Sequence, residues 1–93
     1  MKQIILTNHA KFEAHRRNIS EEIIKSAILE PQQKLPAKKG RVIIQNRYFD
    51  KTENREMLLR VIGLETSDEF KVITLYKTSY KTSKIKKYWI GGG

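Results

Sequence analysis

Residues 41–76 read RVIIQNRYFDKTENREMLLRVIGLETSDEFKVITLY and hold three runs rich in β-branched and large apolar residues, 41–49, 56–65 and 70–76. The clusters DKTENR (50–55) and TSD (66–68) separate them. Apolar runs punctuated by turn residues predict successive strands of an antiparallel meander. Strict alternation along the last run sets Phe70, Val72, Thr74 and Tyr76 against Lys71, Ile73 and Leu75. In the middle run Arg60 shares a face with Leu58 and Ile62, a costly place for a guanidinium unless an anion or the sheet rim receives it.

Upstream of the meander the pattern becomes helical. The apolar run QIIL (3–6) is too short to stand alone and predicts a strand or extended lead-in. Thr7 or Asn8 then caps a helix reaching about Arg17, where Arg16 and Arg17 favour the negative end of the helix dipole. Asn18 suits the left-handed position that closes such a helix. Ser20 caps a second helix, with Glu21 and Glu22 in its first turn and Ile19 set to staple onto Ile24. Ile23, Ile24, Ala27 and Ile28 form its apolar face, and Pro31 ends it by Glu30. The stretch PQQKLPAKKG (31–40) reads as an exposed, positive connector. Residues 81–90, KTSKIKKYWI, are compatible with a fourth strand, a short helix or a tail. The expected fold is therefore α+β: two N-terminal helices packed on one face of a three- to four-stranded antiparallel sheet, the other face left to bind. One domain over 1–90 is expected, followed by a flexible glycine tail, 91–93.

The charge is one-sided. Nineteen Lys and Arg against ten Asp and Glu give a net charge of +9 over 93 residues. A domain that repels itself this strongly points to a polyanionic partner, most often nucleic acid, with anionic membrane as the competitor. Eleven of the basic residues fall in two spans without any acid, five in 31–49 (Lys34, Lys38, Lys39, Arg41, Arg47) and six in 70–93. The second span interleaves lysines with aromatic rings able to stack on bases. The absence of cysteine excludes disulfides and cysteine-based metal or redox sites. The opening residues carry only a short apolar run, so neither a signal peptide nor a membrane span is expected, and the expected compartment is the cytoplasm.

His9 and His15, the only histidines, lie about 240° apart on one helix at ~100° per residue and cannot share a metal by themselves. RNA cleavage without a metal needs a base near the 2′-OH, a proton source near the 5′-oxygen and cations around the phosphorane. Histidine, arginine, lysine, threonine and tyrosine supply these groups with no cofactor. Ordinary roles account for each residue singly: a surface position for either histidine, a pair with Arg16 or Arg17 for Glu13, packing for the tyrosines and Trp89, and a solvated face for the lysines.

The segments LTNHAKFEAHRRNISEEIIKSAILEP, GR, LLRVIGLE, KVITLY and TSKIKKYW, in that order, resemble a family of small uncharacterised bacterial and archaeal domains, and the resemblance spans nearly the whole chain. That family is grouped with the barnase, EndoU, colicin and RelE-like fold, whose members include metal-independent RNases and toxins of toxin-antitoxin systems. The resemblance implies a toxin-like RNase and places candidate catalytic positions at His9 (acid or base), Arg17 and Arg60 (phosphate), Tyr76 (donor or stacking ring) and Lys84 (transition-state charge). Thr74, Thr82, Ser83, Lys86, Lys87 and Tyr88 join Lys38, Lys39, Arg41 and Arg47 as expected RNA contacts. The family's glycine at the helix junction is here Asn18, which tolerates positive φ. The repeated YKTS (76–79 and 80–83) offers two hydroxyl pairs for the family's one, and the second copy leads directly into Lys84. RNA and an acidic antitoxin are the implied partners. A non-catalytic nucleic-acid-binding module and a domain docking an acidic protein are the alternatives.

Overall fold

The computed structural model describes residues 2–79 and Trp89. Lys84, Thr82, Ser83, Lys86, Lys87, Tyr88 and the glycine tail lie outside the described residues. Elements follow the order β1 (Gln3–Leu6), α1 (Asn8–Arg16), α2 (Glu21–Leu29), β2 (Gln33–Pro36), β3 (Val42–Asp50), β4 (Arg55–Glu65) and β5 (Glu69–Ser79), with a 3-10 turn at Lys38–Gly40. No helix among the described residues is long and apolar enough to cross a membrane.

The helix signals act as written. Thr7 Oγ1 accepts from Ala10 N at 3.1 Å and Ser20 Oγ from Ile23 N at 3.2 Å, each supplying an acceptor for an otherwise orphaned first-turn N–H. Asn18 has φ 56°, turning the chain between the helices so that Ile19 and Ile24 both enter the core. That core forms between Ala10, Ala14, Ile24, Ala27 and Ile28 of the helices and Ile44, Leu59, Val61, Phe70, Val72 and Leu75 of the sheet.

The sheet departs from the expected three or four antiparallel strands. It has five, in the order β1-β5-β4-β3-β2, and β1 pairs with β5 in parallel while the other pairings are antiparallel. The two additional strands are four-residue edges: the stretch read as a lead-in and part of the stretch read as a connector. Neither is long enough to show a period; each becomes a strand because a long neighbour offers unpaired backbone. Pro36 is tolerated because β2 is an edge and proline cannot donate to a ladder. At the end of β4, Glu65 receives Lys2 at 2.7 Å and Lys34 at 2.6 Å, tying both edges to the centre.

A bulge governs the faces of β5. Ile62 pairs with Thr74 but the next residue, Gly63, pairs with Val72, so Ile73 has no opposite partner. Phe70, Val72, Leu75 and Lys77 consequently point to the helices, and Lys71, Thr74 and Tyr76 point away, overturning the alternation expected from the sequence. A Cβ on Gly63 would lie 2.4 Å from Lys71 O and 2.5 Å from a Phe70 ring carbon, so close approach at the bulge requires glycine.

The bulge turns Lys77 inward, where its side chain is 7% exposed. Lys77 Nζ lies 2.7 Å from Asp50 Oδ2, which also accepts from Tyr48 OH at 2.9 Å. Asp50 Oδ1 accepts from Thr52 N at 2.9 Å and Glu53 N at 3.0 Å, closing the β3–β4 turn. Burial by itself would raise the Asp50 pKa, but Lys77, the Glu53 N–H and Tyr48 together hold it below the ordinary carboxylate value. Burial, reinforced by Asp50, raises that of Tyr48.

Two expectations follow. Gly63→Ala should destabilise by about 1–3 kcal/mol, the usual cost of overpacking, read from the urea midpoint. Because the folded pKa of Asp50 is lowered, its contribution is complete above the unfolded carboxylate pKa of about 3.9 and lost as pH falls through the folded value. Asp50→Asn should cost about 3–5 kcal/mol at neutral pH by leaving the nearly buried Lys77 only its longer Glu53 contact at 3.7 Å, flatten part of the acid decline in denaturation profiles, and be partly rescued by Lys77→Met.

Candidate active site

β1 covers only the first half of β5, from Glu69 to Val72. After Leu6 the chain turns into α1, and Thr7 fixes that turn: its N–H donates to Val72 O at 3.1 Å and its hydroxyl donates to Ile73 O at 3.2 Å. The carbonyl of the bulged residue thus anchors the start of α1. Two residues later the exposed His9 ring reaches over the strand edge, with Nε2 3.3 Å from Thr74 Oγ1. Either partner can donate in that contact, depending on the imidazole tautomer.

Tyr76 follows Thr74 on the same side of β5, about 6.6 Å further on at ~3.3 Å per residue. It belongs to a row crossing four strands, in which Gln33 pairs with Gln45, Gln45 with Arg60 and Arg60 with Tyr76. Gln45 Nε2 donates to Gln33 Oε1 at 2.8 Å, Arg60 Nε donates to Gln45 Oε1 at 2.7 Å, and an Arg60 Nη1 hydrogen bond reaches Tyr76 OH. A guanidinium carries only donors, so the amide oxygen of the fully buried Gln45 must face Arg60 and its NH2 must face Gln33. The Arg60 carbon lies 5.7 Å from the Tyr76 ring centroid. Tyr76 OH accepts from Arg60, which directs its own proton elsewhere. Arg60 is therefore received between Leu58 and Ile62 by an amide and a phenol, where sequence reasoning looked for an anion or the rim.

Four of the expected residues fall at β5 as two contacting pairs, His9 with Thr74 and Arg60 with Tyr76, Thr74 and Tyr76 lying two residues apart on the strand. Arg17 stands apart. It lies eight residues along α1 from His9, about 12 Å at 1.5 Å per residue, and its Nε pairs with Glu13 at 2.8 Å. Arg16 takes the same carboxylate at 2.9 Å, and Arg17 first, then Arg16, lower the Glu13 pKa. Lys38 and Lys39 are exposed on the 3-10 turn and Arg41 follows it, all in the connection between the edge strand β2 and β3, with β4 between that hairpin and β5. Arg47 faces away from the helices opposite Leu58, pairs with Glu56 at 3.3 Å and lies 5.2 Å from the Trp89 ring centroid. The face expected to be open is covered at its centre, where Gln45 and Leu58 are fully buried.

Sequence reasoning missed Thr7 as an anchor and Gln33 and Gln45 as supports of Arg60. Gln45 lay on the same alternating side of its run as Arg47, but burial of an amide depends on cross-strand register, which one sequence does not carry. The isolated Gly63 was a usable sign of the bulge.

Residues 6–77 match a family described as a domain of unknown function, DUF4258, and the chain belongs to that family. The matched span includes His9, Arg17, Arg60, Thr74 and Tyr76, and it does not itself connect the chain to the barnase, EndoU, colicin and RelE-like fold. No curated protein and no solved structure matches the chain significantly.

If the amide holds Arg60 as a unit, Gln45→Leu and Arg60→Leu should be non-additive, with a coupling energy of about 0.5–3 kcal/mol in urea denaturation. Additivity within about 0.3 kcal/mol would show that the row carries no joint stability.

Proposed function

We propose that the chain is a toxin-like endoribonuclease domain that cleaves single-stranded or ribosome-associated RNA without a metal. The observation that carries this is the His9–Thr74 contact of 3.3 Å, which sets an exposed imidazole two residues along β5 from Tyr76, itself bonded to Arg60 of β4, in a domain with net charge +9. In the reaction the 2′-oxygen attacks the adjacent phosphorus, an O2′–P bond forms and the P–O5′ bond breaks. The products are a 2′,3′-cyclic phosphate and a free 5′-hydroxyl. One proton leaves the 2′-OH and one reaches the 5′-oxygen; His9 acts as base or acid in one of these transfers. Thr74 orients the imidazole through its hydroxyl. Arg60, held by Gln45 and Tyr76, offsets charge on the non-bridging oxygens. An acidic antitoxin covering the β5 edge would silence the site.

A basic module that binds RNA without cutting it is the second reading. It is favoured by the commitment of Arg60 to Gln45 and Tyr76, which fixes part of its donor fork.

Purified protein incubated with labelled RNA in chelator should yield product bearing a cyclic phosphate. His9→Ala, an exposed change that should leave the thermal melt in place, should slow cleavage about 10²–10⁴-fold. Arg60→Lys, which keeps the charge but loses the planar fork, should lower the rate while retaining binding. Steeply salt-dependent binding with no product would select the module, and full activity of His9→Ala would remove His9 from the chemistry.

A further inference from the structure

At the opposite end of α1 from His9 a concavity of about 360 Å³ opens between Arg16, Arg17 and Asn18, the β3–β4 turn with Glu53 and Arg55, and Lys77, Thr78 and Ser79 of β5. Its volume lies in the lower part of the roughly 300–1,000 Å³ range of small-ligand clefts. We propose that it is a second phosphate-binding subsite for a single-stranded polynucleotide. This deepens the RNase reading and rests on it for the identity of the strand.

Charge supports the assignment. Four cations line the concavity against one lining carboxylate, Glu53. Behind them, Arg16 and Arg17 share a single oxygen of Glu13, and Lys77 is committed to Asp50 at 2.7 Å, with Glu53 further off at 3.7 Å. Four cations therefore face three carboxylates in all. The Arg55–Glu53 contact is long, at 3.6 Å, and exposed, so it is weak and readily exchanged for a phosphate. Arg16 and Arg55 side chains are 54% and 58% exposed and can follow a mobile ligand. The negative end of α1 opposes an anion here, but the Glu13 and His15 carbonyls already accept from the Arg17 and Asn18 N–H groups, which quiets that field.

Position supports a strand over a free anion. Thr78 lies four residues beyond Thr74 on β5, about 13 Å at ~3.3 Å per residue. That is about two to four nucleotides, since stacked ones advance ~3.4 Å and extended ones roughly twice as much. A strand whose scissile phosphate sits at His9 and Thr74 and which follows β5 delivers a later phosphate to Arg16 and Arg55.

The test is fluorescence anisotropy with a 2′-O-methylated RNA octamer and a dinucleotide, neither cleavable, on the wild type and on Arg16→Ala/Arg55→Ala. Loss of one phosphate contact should reduce the slope of log K against log salt by about 0.7 for the octamer, roughly 5-fold weaker binding at 0.1 M salt relative to 1 M, with the dinucleotide unchanged. An unchanged octamer slope, or equal weakening of both probes, overturns the subsite. If the wild type leaves an unmodified octamer intact but the slope difference stands, the subsite holds and cleavage fails. If the wild type cleaves and the slopes agree, the subsite alone fails; no RNA binding at all rejects both.

Discussion

One unpaired residue sets the arrangement of the whole sheet edge. Because Ile73 has no opposite partner, every side chain after it on β5 is turned to the other face. Lys77 goes inward to meet Asp50, while Thr74 and Tyr76 go outward to meet His9 and Arg60. The carbonyl of Ile73 receives the Thr7 hydroxyl that starts α1, so the device that turns the strand also positions the helix carrying the imidazole. Gly63 makes this possible by leaving room for the Phe70 ring and the Lys71 carbonyl.

Two partly buried cations of the sheet are received differently. Lys77 is nearly buried and meets a carboxylate that is itself fixed by two backbone N–H groups and a phenol, a closed arrangement suited to stability. Arg60 is half-buried and meets an amide and a phenol, which orient its plane. The first fastens the β3–β4 turn to β5. The second presents an oriented guanidinium beside the hydroxyls of β5, the kind of preorganised dipole and charge that stabilises a developing anion.

Among the described residues, the basic side chains are distributed by the fold into separate places. His9 with Thr74 and Arg60 with Tyr76 fall at β5; Arg16, Arg17 and Arg55 surround the concavity at the far end of α1; Lys38, Lys39 and Arg41 sit in the β2–β3 connection. Under the two proposals, a strand of RNA running from His9 along α1 and β5 would meet the first two in succession.

The sequence by itself determined what is local. Caps at Thr7 and Ser20, positive φ at Asn18, the apolar face of α2 and the three long strands all follow from residues within a turn or a strand of one another. The pairing of Arg60 with the wrong sort of neighbour was also legible, since Leu58 and Ile62 flank it at period two. Tertiary structure decided the rest. The short strands β1 and β2 exist only through long neighbours, the parallel β1–β5 contact joins the two ends of the described fold, and the buried amide of Gln45 has meaning only in a four-strand register. Register is a property of two strands at once, and a one-residue bulge reverses faces without changing composition, so neither could be read from a single run of residues.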